Sequence, residues 1–336
     1  AVPTVASILV TLLYNLADTW FVGLLNDPIQ NAAVTLAAPV LLAFNAVNNL
    51  FGTGCSSMMS RALGRKDAET AQRCSSFGFW CSLLCGVLFS VLAAVFQRPL
   101  LASLGASAEN HDAAAAYMHW TVSLGAAPAI LNVVLAYFVR AEGSSVHASI
   151  GTMCGCFLNI LIDPFFILPW GLNMGAAGAA IATTFAQAVS VVLSLVFIKK
   201  HGLPFPLTKD SFRPHAKTAG RVVALGAPIA LQSMCNEFSY MAVLGFVNAL
   251  GLTVSAGVGI AAKLSMFMLL TPTAYMQALS TFVAQNIGAR QLERARRAMW
   301  DGMLTAAALG AGMSLIGFFG GGVMTSFFID DAAVID

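Results

Sequence analysis

Apolar residues dominate nine stretches of the chain, near 1–25, 32–59, 75–96, 115–138, 146–169, 175–198, 222–248, 254–285 and 299–322, with short polar intervals between them. Each is long enough to cross roughly 30 Å of hydrocarbon as an α-helix rising about 1.5 Å per residue. The pattern predicts an all-α polytopic membrane protein with nine spans. Composition agrees. Hydrophobic residues make up 58% of the 336 positions and charged residues 10%, where a soluble domain carries about a quarter charged. The first run opens at Ala1-Val2-Pro3, already inside a span and without the short apolar core and cleavage site of a signal peptide, so the native start is expected upstream.

The placement of charge adds an orientation. Arg61, Arg65, Lys66 and Arg73 follow span two, Arg140 follows span four, six basic residues from Lys199 to Arg221 follow span six, and Arg290, Arg294, Arg296 and Arg297 follow span eight. Only Arg98 lies in the opposite loops, and Lys263 falls within a span. Basic residues concentrate in cytoplasmic loops, so the amino terminus is expected in the cytoplasm of a cell, or inner, membrane, with odd-numbered spans running outward. The net charge of +2 carries little further information, and the lipid bilayer rather than a nucleic acid is the expected macromolecular surroundings. Seven cysteines in or near spans form no Cys-x-x-Cys pair and read as small packing residues.

Two segments repeat. Gly64 through Arg73 aligns with Gly288 through Arg297 at an offset of 224, sharing Gly, Glu, Ala and Arg. Pro3 matches Pro228, and Phe21-Val22 matches Phe246-Val247, at an offset of 225. Matches in one register indicate a duplicated unit. Six spans per unit is an even number, so both copies enter the membrane from the same side and are related by an axis along its normal. The expected organisation is a six-helix bundle over 1–200, a cytoplasmic linker over 201–219 rich in Pro and basic residues, and the first part of a second bundle over 220–336. Two full units would occupy about 450 residues, so about three of twelve spans, roughly 115 residues, are expected beyond Asp336.

Polar groups within the spans mark candidate chemistry. An ionised carboxylate at mid-bilayer costs about 2.5–3.5 kcal/mol on insertion scales, and such residues are seldom kept without a use. Tyr14 and Asp18 lie four residues apart in span one, on one helix face. Asn159 and Asp163 repeat the spacing in span five, where Pro164 lacks the amide that would bond to the carbonyl of Ile160. Carboxylate, amide and freed carbonyl oxygens suit a proton or a hard cation such as Na⁺, and both acids fall near the outer ends of outward-running spans. The small-residue face Gly175 through Ala180, followed by Thr183 and Thr184, permits close helix approach and offers hydroxyls. Glu237 and Lys263 lie near mid-depth and are read either as an ion pair or, for Glu237, as a substrate or proton-relay group. Asn236 and Gln277 are candidates for the same cavity, and Met266, Met268 and Met276 for an adaptable apolar wall.

These elements carry a family resemblance. Pro3, Tyr14 through Asp18, Gly23, Arg61 through Gly64, Arg140 with Gly143, Asn159 through Pro164, Gly175 through Thr183, and Gln285 through Ala289 resemble, in order along the whole chain, the multidrug and toxic compound extrusion (MATE) antiporters, and among them the bacterial and archaeal damage-inducible, DinF-like branch. The resemblance implies twelve helices in two bundles forming a V around a cavity that opens alternately to either side. It implies a monomer exporting organic, often cationic compounds against inward H⁺ or Na⁺, with no enzymatic step and no cofactor. On that analogy Asp18, Asn159, Asp163 and Thr183 form the amino-terminal cation site, with Tyr14 beside it, and Glu237 is the acidic residue of span seven. A lipid-linked oligosaccharide flippase of the same superfamily is the alternative, though its pyrophosphate cargo favours several cavity cations and only Lys263 stands out. An intramembrane aspartyl protease also needs two acids in the membrane, but no span contains Gly-x-Gly-Asp.

Overall fold

The computed structural model describes residues 2–25, 27–200, 216–249 and 252–326, and its described residues form helices and turns with no strand. In chain order the helices are α1 (Val2–Gly23), α2 (Pro28–Leu36), α3 (Ala38–Val47), α4 (Gly54–Gly64), α5 (Ala68–Val95), α6 (Gln97–Ser103), α7 (His111–Met118), α8 (Ala126–Ala141), α9 (Ser145–Ile167), α10 (Gly175–Lys200), α11 (Ala216–Ala249), α12 (Leu252–Gly288) and α13 (Leu292–Ser326). A π-helical turn over Asn48–Thr53 joins α3 to α4, and a second over His119–Leu124 links α7 towards α8.

Among the described residues the helices follow one another in the order expected of the spans. Residues 28–64 are one helical span of 37 residues, and α7 with α8 is one span bent by 48°. Six continuous helices are long and apolar enough to cross a bilayer, and the bent pair makes a seventh. The sequence places the seventh and eighth spans on α11 and α12, which at 34 and 37 residues are long enough to cross. The second span starts at Pro28, because Asp27 accepts a hydrogen bond from the Ile29 amide at 2.9 Å and Pro28 occupies the first helical position, where its missing N–H costs nothing. Most of the expected linker, 201–215, falls outside the described residues, and α11 takes over its last four positions by starting at Ala216.

The core of the first bundle lies around α8, where Ile130, Val134, Leu135 and Phe138 are buried. Leu84, Leu161 and Phe246 are instead more than 65% exposed, which is how an apolar side chain behaves when lipid is its solvent.

The duplicated register reappears in backbone geometry. After α4, Lys66 adopts φ 61°, and after α12, Arg290 adopts φ 60°, at an offset of 224. The Lys66 amide donates to Leu63 and the Asp67 amide to Ala62, while Arg290 donates to Ile287 and Gln291 to Asn286. Both helices therefore end in the same left-handed cap. The two caps also sit against each other. A Cβ on Gly64 would come closer than 3 Å to the carbonyl of Gln285, and one on Gly288 equally close to the carbonyl of Arg61. Because Arg61 and Gln285 are themselves equivalent positions, α4 and α12 cross on the pseudo-twofold axis in an isologous contact.

Candidate cation site and cavity

Two helix pairings bring the site together. The helices α1 and α9 are parallel neighbours: Thr11 Oγ1 lies 3.7 Å from Cys156 Sγ, and Ser149 Oγ donates to Ser7 Oγ at 3.4 Å. The Thr11–Cys156 separation in sequence is 145, and carrying that offset along both helices sets Asp18 beside Asp163. Each carboxylate lies within electrostatic reach of the other. The second pairing is antiparallel: Gly155 lacks a side chain where α10 brings Ser190 close, Ser190 Oγ donates to the Gly151 carbonyl at 3.1 Å, and Thr183 consequently faces Asn159.

Asn159 is the hub. Its Nδ2 donates to Asp163 Oδ1 at 3.0 Å and to Thr183 Oγ1 at 3.2 Å. Asn159 and Asp163 are fully buried, at 1% and 0% exposure, whereas Asp18 is half-buried. Asp18 Oδ1, Asn159 Oδ1 and Asp163 Oδ2 are shut off from water and have no hydrogen-bond partner. Three acceptor oxygens without donors form an arrangement that a proton or an oxygen-seeking cation would satisfy. Tyr14 is close enough to sense both acids. So is Tyr117 of α7, which the sequence reading passed over although Thr121 follows it at the same four-residue spacing that singled out Tyr14 and Asp18. The small-residue face serves packing and site at once: Gly178 lies against the Phe166 carbonyl, and Thr183 stands at the hub.

A cavity of about 460 Å³ opens beside this cluster. It is bounded by Tyr14 and Asn15 of α1, Asn132 and Arg140 of α8, Asn159 of α9 and Thr183 of α10, and is completed by Gln277 of α12. Gln277 thus joins the cavity, where its Oε1 accepts from Arg140 Nη1 at 2.9 Å. Asn236 is exposed and Glu237 half-buried on α11, and neither lines it. The side chains of Lys263 and Met266 lie outside the described residues, and with them the Glu237–Lys263 pairing. On the side carrying the basic loops, Gln285 Nε2 and Ser60 Oγ both donate to the carbonyl of Ala141, at 2.9 and 3.2 Å.

The MatE family model matches residues 3–165 and 228–336, which covers both the Asp18–Asp163 pair and the repeated segment. The chain belongs to the MatE family. The multidrug export protein MepA of Staphylococcus aureus (strain MRSA252) is 26% identical to this MatE chain over 286 residues, covering 85% of the chain and 63% of MepA. The chain therefore spans less than two thirds of that relative's length. A crystal structure of MATE in complex with MaD5 shares the fold with a TM-score of 0.90 at 24% identity, over 97% of this chain and 74% of that one. An outward-facing multidrug resistance MATE transporter of the MOP superfamily gives a TM-score of 0.88 at 25% identity, over 99% and 74%. The all-α architecture of two parallel six-helix bundles expected from the sequence is the family's, and this MatE chain is a multi-pass membrane protein.

Proposed function

We propose that this MatE protein is a secondary antiporter that exports organic, often cationic molecules in exchange for H⁺ or Na⁺ moving inward. The coupling cation binds at Asp18, Asn159 and Asp163, with Thr183 and Tyr14 at its margin, and the exported molecule occupies the adjoining cavity. The observation that carries this reading is the trio of buried oxygens without donors, on three neighbouring side chains, at the edge of a cavity large enough for a small organic molecule. Binding a cation there relieves the repulsion and desolvation of two adjacent carboxylates. Because coupling requires different affinities in different states, that relief must differ between the arrangements of the two bundles. A bend of α1 at its polar stretch, Tyr14 to Asp18, would provide such a difference and would narrow the cavity that Tyr14 and Asn15 border.

Basic loops beside the Gly64–Gly288 crossing favour the cytoplasm for that end of the molecule. On that orientation the bundles meet on the cytoplasmic side, in an outward-facing arrangement. Drug accumulation in proteoliposomes, with sodium and proton gradients imposed separately, tests the proposal directly. Accumulation driven by one gradient and abolished in Asp163→Asn is the expected outcome; wild-type transport in that variant removes the proposed cation site.

A further inference from the structure

Among the described residues Arg140 is a guanidinium without a counter-ion. It ends α8 within a membrane crossing and borders the cavity. One of its Nη atoms donates to Gln277, and its Cζ lies 5.7 Å from the Tyr137 ring centroid. Its Nε is shut off from water and has no acceptor. Among the described residues no carboxylate lies within 4 Å of it. Glu142, two positions on, is not among the residues that line the cavity, and its own Oε2 is likewise unpartnered. The polar groups on the cavity walls between Arg140 and the cation cluster are neutral amides and hydroxyls, among them Asn15, Asn132, Gln187, Thr11 and Thr152, set between apolar residues such as Ile8 and Val133. A half-buried guanidinium left with neutral partners carries a desolvation cost that an anion would offset, and its fork of donors matches a carboxylate in two-point geometry.

The cavity therefore has acidic groups behind one end and a basic group at the other. Asp18 and Asp163 gather behind Asn159 and Thr183 at one end, and Arg140 stands at the other. Along α8 the lining residues Asn132 and Arg140 are separated by about 12 Å, at 1.5 Å per residue. We propose that Arg140 is a specificity-determining residue that receives an anionic group of the exported molecule, most simply a carboxylate, so that the cavity takes amphoteric molecules in preference to simple organic cations. This rests on the export reading above, and it assigns the chemistry of the cargo.

Two dyes with one chromophore test it: rhodamine B, whose carboxylate is free, and its ethyl ester, a permanent cation. Equilibrium binding to the purified full-length protein, followed by fluorescence anisotropy, reads the preference without any transport step. The wild type is expected to bind rhodamine B about tenfold more tightly than the ester, the equivalent of one well-placed charge-assisted contact. Arg140→Gln should bring the ratio to about one, and Arg140→Lys should restore part of it, because charge returns without the fork. Gln277→Ala separates this role from a merely structural clamp: it removes the bond between the bundles but leaves the guanidinium, and should keep the preference. Equal binding of the two dyes by the wild type, no binding of either, or an equal loss of both in Arg140→Gln and Gln277→Ala would each overturn the assignment. A preference for rhodamine B without gradient-driven accumulation of either dye would instead sink the export reading alone.

Discussion

Asn159 spends its donor group on Asp163 and Thr183 and keeps a bare carbonyl, so a single amide both orients the carboxylate and adds an oxygen to the cluster. Replacing Asp163 by Asn removes the charge and offers a donor where a cation would sit. Gradient-driven export should fall about tenfold or more, the equivalent of 1.4 kcal/mol or above, with membrane insertion unchanged by fluorescence-detected size exclusion. Glu142, outside the spans, makes a separate prediction. Burial pushes its carboxyl up from 4.5 to about 8, and no compensating charge stands against that burial. The folded protein thus holds a proton that the unfolded chain has released between those two values, so stability falls as pH rises from about 4.5 through about 8. Glu142→Gln should raise the thermal midpoint at pH values above 8, by several degrees, and leave it unchanged near the lower bound; an equal shift at both ends would contradict the burial argument. The acids and amides proposed to hold the cation could be singled out in the sequence because charge in lipid is conspicuous, and for Asp163 the four-residue spacing names its partner, Asn159. Tyr117 was not, since a tyrosine in an apolar run looks like an interfacial anchor until α7 is folded against α2 and α10. Arg140 was read only as one more basic residue at the end of a span, because its position against α12 is a product of the fold.

At the scale of the helices, the contact between α4 and α12 is set by absent side chains. Gly64 and Gly288 each lie over a carbonyl of the opposite helix, so a methyl group at either site must push the helices apart. Overpacking of this kind costs about 1–3 kcal/mol, enough to shift an equilibrium between closed and separated bundles by roughly 5- to 150-fold. Gly64→Ala and Gly288→Ala should therefore favour separation on the basic-loop side, and the isologous geometry predicts closely similar effects for the two. The double variant should exceed either single one by less than their sum, because the first displacement already relieves the second clash. Accessibility of a cysteine introduced at Arg61 to a membrane-impermeant thiol reagent would report the separation; unchanged labelling in both variants would show that the crossing tolerates the methyl. The repeat that locates this crossing was visible in the sequence as a four-residue match in a ten-residue window. What the sequence did not carry was the reciprocity, since nothing in a linear alignment says that a segment packs against its own copy. The π-helical turns over Asn48–Thr53 and His119–Leu124 were equally hidden, because an extra residue in a helical turn is not visible in a span that is apolar on most of its faces.

For the molecule as a whole, the proposed cation site lies within the first bundle, whereas the contacts that close the basic-loop side run between bundles: Arg140 to Gln277, Gln285 to the Ala141 carbonyl, and the glycine crossing. A cation bound at the first can drive export only if it changes the balance of the second. The requirement is quantitative, because a tenfold difference in affinity between two equally populated arrangements moves them to about ten to one, and equal affinity moves nothing. Glu69 and Glu293, equivalent in the repeat and both exposed, suit a pair of spin labels across the axis once the exposed Cys154 and Cys235 are replaced. Titrating Na⁺ at fixed pH, and then pH at fixed Na⁺, should change the distribution of distances between them along one axis, and that axis identifies the coupling ion. Asp163→Asn should hold the distribution fixed along both, since it abolishes the charge through which either ion acts. Gly64→Ala should move the starting distribution and preserve its response, because it alters the balance of the two arrangements without touching the site that biases them. Loss of the response in Gly64→Ala alone would place the sensing step in the crossing and not in the carboxylates. A distribution insensitive to both ions in the unmodified site would leave Asp18 and Asp163 as structural groups, with the energy for export drawn from elsewhere.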